Sequence, residues 1–312
     1  MRKQSMQSVL IVITVIFLMM TIPSCGDDSN PVDPKITYSW KQELTNESDI
    51  LYGISGTASD NVYVGGANGR LLHWNGTEFS RLARVCTVRI TDIHALTETS
   101  IWMCTYDDSI FHYNGTTWTG YKGNTGERLY DIFAVSDTDV WVAGDGGQVS
   151  HFNGSDWTAT VVGSDTDFWK GLWGTASNNI ILVGYYDRAF KYTGTWAQIT
   201  PSGFGNNCED VWGSSADNVY IAAWSKVFHY AGGSILTLSV DISPTRLYGV
   251  WGSSANDVFA AGNDGKIVHF NGSQWEYMVS NTTLHFRGIW GSGPKDVFAI
   301  GGSGLVMHYC ED

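Results

Sequence analysis

Arginine and tyrosine recur at fixed offsets from a tetrapeptide, Gly/Asp-aliphatic-x-Gly/Ala, that the sequence repeats seven times. Three residues ahead of its copies stand Arg89, Arg128, Asn207, Arg246 and His285, and one residue ahead stand Tyr52, Tyr130, Lys170, Glu209, Tyr248 and Arg287. Glycine-rich or polar turns add Tyr106, Asp107, Asp108, Asp145, the run Tyr185-Tyr186-Asp187-Arg188, Trp224 and Asn263-Asp264. Guanidinium forks bind carboxylates, and aromatic rings stack on sugar faces. A cluster of these types therefore suits an anionic or sugar ligand. Any one of them alone reads as a solvated loop residue; the group, gathered on one rim, is the candidate site.

Catalysis is the second reading. Glycoside hydrolysis needs two carboxylates roughly 5–10 Å apart, and Glu209, Asp108 and Asp187 are available without marking a pair. A sialidase-type arrangement would draw on Arg89, Arg128 and Arg246 with Tyr130 as nucleophile. No nucleophile elbow, His-Glu-x-x-His, phosphate loop or dinucleotide fingerprint occurs, so no cofactor is expected. Gly144-Asp-Gly-Gly147 and Gly262-Asn-Asp-Gly265 are too short for a calcium loop of roughly 12 residues. Six of eight histidines fall one per repeat, too far apart to share an ion, so no metal site is expected.

The repeat itself fixes the fold. First residues of the tetrapeptides are Gly53, Asp92, Asp131, Gly171, Asp210, Gly249 and Gly288, a period of 39 or 40. Each copy reads as four short strands, A to D. Strand A carries the tetrapeptide, and strand B bears an aromatic such as Trp102, Trp141 or Phe259. Strand C ends in His-aromatic, as at His73-Trp74 and His308-Tyr309. Asn-Gly at Asn75, Asn114, Asn153 and Asn271 predicts a type I′ turn into strand D. The histidines are expected to hydrogen-bond within their own repeat to Asn61, Asp139, Asn218, Asp257 or Asp296. Four strands per unit of this length match a propeller blade, giving an all-β, seven-bladed β-propeller over residues 36–312. The last copy lacks strand D, whereas Trp40 lies 13 residues before Gly53, the interval seen from Trp118 to Asp131. Residues 36–42 should therefore complete blade seven against 304–309 and leave no free edge.

Composition agrees. The chain has 312 residues, 18 Lys+Arg and 31 Asp+Glu, for a net charge of −13. From Cys25 onward the balance is 16 − 31 = −15, because Arg2 and Lys3 lie ahead of it. Such a surface repels phosphate and excludes non-specific nucleic-acid binding. Only 16% of residues are charged while 43% are hydrophobic, the mark of a core-former.

The string Trp-Gly-Ser/Thr, Asp-Val-aromatic, His-aromatic-Asn-Gly-Ser/Thr-x-Trp resembles repeats of secreted bacterial β-propellers of the galactose-oxidase-like type, across nearly the whole mature chain. The hairpin Asn114-Gly-Thr-Thr-Trp118 is also similar to the end of the sialidase Asp-box, but Tyr113, Phe152 and Phe270 replace its defining acid. The resemblance implies architecture and leaves activity open.

Met1-Arg2-Lys3 followed by the apolar run Val9 to Met20 reads as a secretory signal over residues 1–24, too short to span a bilayer. Ile22-Pro23-Ser24-Cys25-Gly26 resembles a bacterial lipobox, which implies lipidation of Cys25 and a tether over 25–35. Cys86 and Cys104 fall on one rim and are expected to pair in an oxidising compartment. These readings describe an exported, lipid-anchored propeller of the bacterial envelope that binds or scaffolds a glycan or envelope protein. The alternative is a carbohydrate-active enzyme. Its membrane contact would be the lipid alone, and no oligomeric state is implied. Cys25→Ala is expected to give a soluble, unlipidated protein. Phase partitioning with detergent measures this, and a variant that still follows the membrane fraction puts the anchor elsewhere.

Overall fold

The computed structural model describes residues 37–186, 188–200, 207–224, 226–238 and 246–312. The leader, Cys25, the tether and Asp187 lie outside the described residues. Each 39-residue unit folds as an antiparallel meander. In blade three the strands Leu129–Ser136, Asp139–Gly144, Gln148–Phe152 and Trp157–Val161 follow one another across the sheet. Seven four-stranded sheets of this kind occur among the described residues, so the chain is a seven-bladed β-propeller. Strand A opens the blades at Leu51, Ile90, Leu129, Trp169, Cys208, Leu247 and Phe286.

Both faces of every sheet are apolar, and the reason is visible in the packing. The core consists of seven clusters, each between two consecutive blades. Successive strand residues point to opposite faces. Met103 therefore packs toward blade one beside Leu71, while Trp102 and Cys104 pack toward blade three beside Leu129 and Ile132. This separates the expected disulfide. Cys86 lies with the blade-one cluster and its thiol donates to the Val88 carbonyl at 3.4 Å, whereas Cys104 Sγ meets Thr91 Oγ1 at 3.2 Å on the other face. Cys86 and Cys104 are not bonded to each other.

The Trp-Gly pair of the tetrapeptide is an inter-blade contact. Trp173, Trp212, Trp251 and Trp290 each lie over the motif glycine of the following blade, Gly213, Gly252, Gly291 and Gly56. A Cβ on any of these would sit 2.6–2.7 Å from the indole. Phe133 covers Gly174 in the same manner, with 3.2 Å to such a Cβ. Where a blade offers Ser55 or His94 instead, the next blade has alanine, Ala95 or Ala134. Ser55 Oγ there accepts from the Ala95 N–H at 3.0 Å.

The histidines of strand C behave as expected. His73, His151, His229, His269 and His308 bond Asn61, Asp139, Asn218, Asp257 and Asp296 at 2.6–3.0 Å. His112 uses Ser100 at 3.2 Å. Each ring also lies against the strand-B aromatic, as His151 on Trp141 at 3.9 Å. The Asn-Gly turns differ from expectation. The glycines take positive φ, 91° at Gly76, but the asparagines do not. Asn75 Oδ1 instead accepts from the N–H groups of Thr77 and Glu78, so the side chain closes a wider turn in place of type I′.

Tyr38–Glu43 pairs antiparallel with Val306–Glu311, placing Trp40 opposite Tyr309 and closing blade seven. The paired segments are 38–43 and 306–311 in place of the expected 36–42 and 304–309. Strand directions alternate, so the D–A and B–C loops share one rim and the A–B and C–D turns share the other. Tyr38 thus enters at the A–B/C–D rim and the strand runs toward the first. Trp40 is 3% exposed, in contact with the cluster that holds Leu305 and Met307. Trp40→Ala is expected to destabilise the fold by about 3–5 kcal/mol, read by denaturant unfolding; an unchanged midpoint contradicts closure through this strand.

Candidate functional site

Strand A and strand B lose register twice in every blade, and the first slip falls at the residue before the tetrapeptide. That residue is left unpaired in a bulge, a device that re-aims a side chain. Tyr52, Thr91, Tyr130, Lys170, Glu209, Tyr248 and Arg287 occupy the seven bulges and all line one cavity of about 780 Å³ on the axis. Beneath them the wall carries Asp92, Asp131 and Asp210 from the first motif position. Deeper still come Ser55, His94, Phe133 and the four motif tryptophans.

Cations and rings alternate around the mouth. The Arg89 guanidinium lies between Tyr106 at 3.5 Å and Tyr52 at 4.5 Å. Lys170 Nζ stands 3.1 Å above the Tyr130 ring and 5.1 Å from that of Tyr185. Arg246 faces Trp224 at 4.5 Å and Tyr248 at 4.7 Å, and Arg287 lies 4.1 Å over Tyr248. The rings hold these charges by cation–π attraction, which strengthens when water is excluded.

Glu209 is the one acid of the bulge layer. It pairs with Arg246 and accepts from Trp224 Nε1 at 2.7 Å and Tyr185 Oη at 3.2 Å. Three donors leave it fixing Arg246 in place, a poor arrangement for a general acid. Arg89, Lys170 and Arg287 form no ion pair with a carboxylate among the described residues, and Arg89 Nε is buried without a hydrogen-bond partner. Burial lowers the Lys170 amine from 10.5 to about 8, with Glu209 and Asp145 opposing the shift.

The wall carboxylates have another role. Oδ2 of Asp92, Asp131 and Asp210 accepts the backbone N–H of Ile132, Leu172 and Val250 at 3.3, 2.5 and 2.9 Å, each on the next blade. Burial raises all three above the usual carboxylate range, and the neighbouring Asp131 raises Asp92 further. Burial also lowers His94 to about 4, so its imidazole is neutral near pH 7.

Of the residues singled out from sequence, Tyr52, Arg89, Tyr130, Glu209, Arg246, Tyr248 and Arg287 meet at the mouth. Trp224 stands at its edge, 42% exposed and bonded to Glu209. Arg128 lies outside the cavity lining, 3.7 Å from Asp145. Tyr186 turns outward at positive φ and is 61% exposed; its neighbour Tyr185 faces the cavity. Asp108 also lies away from the mouth, accepting from the Thr125 hydroxyl at 2.6 Å. The Asp of the tetrapeptide, present in three copies and replaced by Gly in four, was the sequence signal for the wall carboxylates.

No family model and no curated protein matches the chain. Solved structures share its architecture. YCF48 bound to D1 peptide is 14% identical with a TM-score of 0.71, over 88% of this chain and 96% of that one. Virginiamycin B lyase from Staphylococcus aureus is 11% identical with a TM-score of 0.76, over 88% and 99%. The extracellular domain of a hybrid two-component system from B. thetaiotaomicron is 14% identical with a TM-score of 0.68, over 87% and 39%. The likeness is one of fold.

A carboxyl whose folded pKa is raised binds its proton more tightly when folded, so ionising it opposes folding. Stability due to Asp92 is present below its ordinary 3.8 and falls as pH climbs toward the raised value. Asp92→Asn keeps an acceptor for Ile132 and is expected to flatten that fall, adding on the order of 1 kcal/mol at pH 8. Thermal melts of both proteins from pH 4 to pH 8 measure it, and parallel curves would contradict it.

Proposed function

We propose that the protein is an exported, lipid-anchored binding propeller of the bacterial envelope that takes an anionic partner at its axial mouth. The partner presents carboxylates, as an acidic peptide tail or an acidic glycan does. The observation carrying this reading is that Arg89, Lys170 and Arg287 face the cavity with no carboxylate of the described residues paired to them. In a chain of net charge −13, cations left unneutralised in a partly dry mouth attract an external anion. Tyrosine rings around them offer stacking surfaces. A peptide partner gains support from the neighbouring fold YCF48, whose structure holds a D1 peptide.

The enzymatic alternative is weaker. Glu209 is satisfied by three donors and Asp108 lies away from the mouth, so neither is placed to act as a free general acid there. Asp187, its remaining acid, lies outside them.

Titration with acidic peptides and with sialylated or uronate glycans, at low and high salt, tests the reading. Arg89→Ala and Arg287→Ala are each expected to weaken binding about tenfold or more, the loss of one charge-assisted contact. Affinity should fall as salt rises. Turnover of a fluorogenic glycoside, abolished by Glu209→Gln, would favour the enzyme instead.

A further inference from the structure

Lys170 differs from the arginines beside it because its charge can be removed. Its bulge sets Nζ over the Tyr130 ring and toward that of Tyr185, in the wall of the mouth. No carboxylate of the described residues forms an ion pair with it. Both neighbouring phenols point at acids, Tyr130 Oη to Asp145 at 3.3 Å and Tyr185 Oη to Glu209 at 3.2 Å. Burial raises both phenols above their ordinary 10.0, so they stay protonated. A half-buried amine, two protonated phenols and unpaired guanidinium groups thus share one cavity. Aldehydes and ketones that also bear a carboxylate need this combination: a nucleophilic amine, proton donors for dehydration, and a cation for the acid group.

We propose that Lys170 forms a reversible imine with a small oxo acid held at the mouth. The Nζ lone pair adds to the carbonyl carbon, and the carbonyl oxygen takes up a proton. The resulting carbinolamine loses hydroxide plus a proton as water while the C=N bond forms. Amine and carbonyl become imine and water, with nothing oxidised or reduced. The lowered basicity of Lys170 supports the step. At pH 7 an amine of pKa about 8 is roughly one-tenth neutral, against about one in three thousand for a lysine at its ordinary 10.5. The proposal rests on the anion-binding reading for its acid group and extends it to a covalent partner.

Glyoxylate with cyanoborohydride, added to the full-length protein at pH 7, reduces any iminium to a stable secondary amine that peptide mapping locates. Lys170 is expected to carry at least tenfold more adduct than any other lysine. Lys170→Arg should abolish that adduct while the melting midpoint stays unchanged. In the unmutated protein, excess malonate, which has carboxylates but no carbonyl, should protect Lys170 several-fold and leave surface lysines labelled. Adduct spread evenly over the lysines, or a Lys170 adduct that malonate leaves untouched, overturns the proposal. If acidic ligands still bind in titrations while Lys170 takes no excess label, the covalent step fails alone. If neither occurs, the binding reading falls with it.

Discussion

An aromatic ring of one strand A resting on a glycine of the next is the contact from which the rest of the geometry follows. Each blade must bury both faces, and blades converge toward the axis, where space is least. The indoles of Trp173, Trp212, Trp251 and Trp290 fill that space only because the facing residue has no side chain. The alternation is mutual: the two blades that receive Ser55 or His94 bear alanine at the facing position. Once the inner strands are held at this distance, the bulge ahead of each tetrapeptide lands at the same height on the axis, and seven unrelated side chains become one layer.

The electrostatics of that layer differ from those of the remaining surface. Elsewhere acids outnumber bases, and cations such as Arg70 and Arg81 are tied to Glu47. Around Arg89, Lys170 and Arg287 rings take the place of carboxylates as partners, which steadies a cation without neutralising it, whereas Arg246 is paired with Glu209. Burial disfavours the charged forms of the wall carboxylates below. Their lone pairs serve neighbouring blades, so these acids act as stitches between strands.

What the sequence made legible was whatever repeats. A period of 39 and the 13-residue interval after Trp40 were enough for blade number and closure, and the spacing from Asn61 or Asp139 to its histidine predicted the bonds observed. What it hid depends on which way a single residue points. Tyr185 and Tyr186 are adjacent and chemically alike, and only the left-handed backbone at Tyr186 sends one outward and the other into the cavity. Cys86 and Cys104 share a rim yet belong to opposite faces of a blade, a distinction set by strand parity. The bulges were invisible because register slips leave no mark in residue type. The asparagine turns misled because side-chain acceptance replaced the backbone conformation expected of Asn-Gly.

The strand that closes blade seven enters from the rim of A–B and C–D turns, at its outer edge, with Tyr38 beside Glu311. Thr37, the first described residue, therefore lies at the rim opposite the cationic mouth. A label or support coupled at that rim would leave the charged opening on the other side unobstructed.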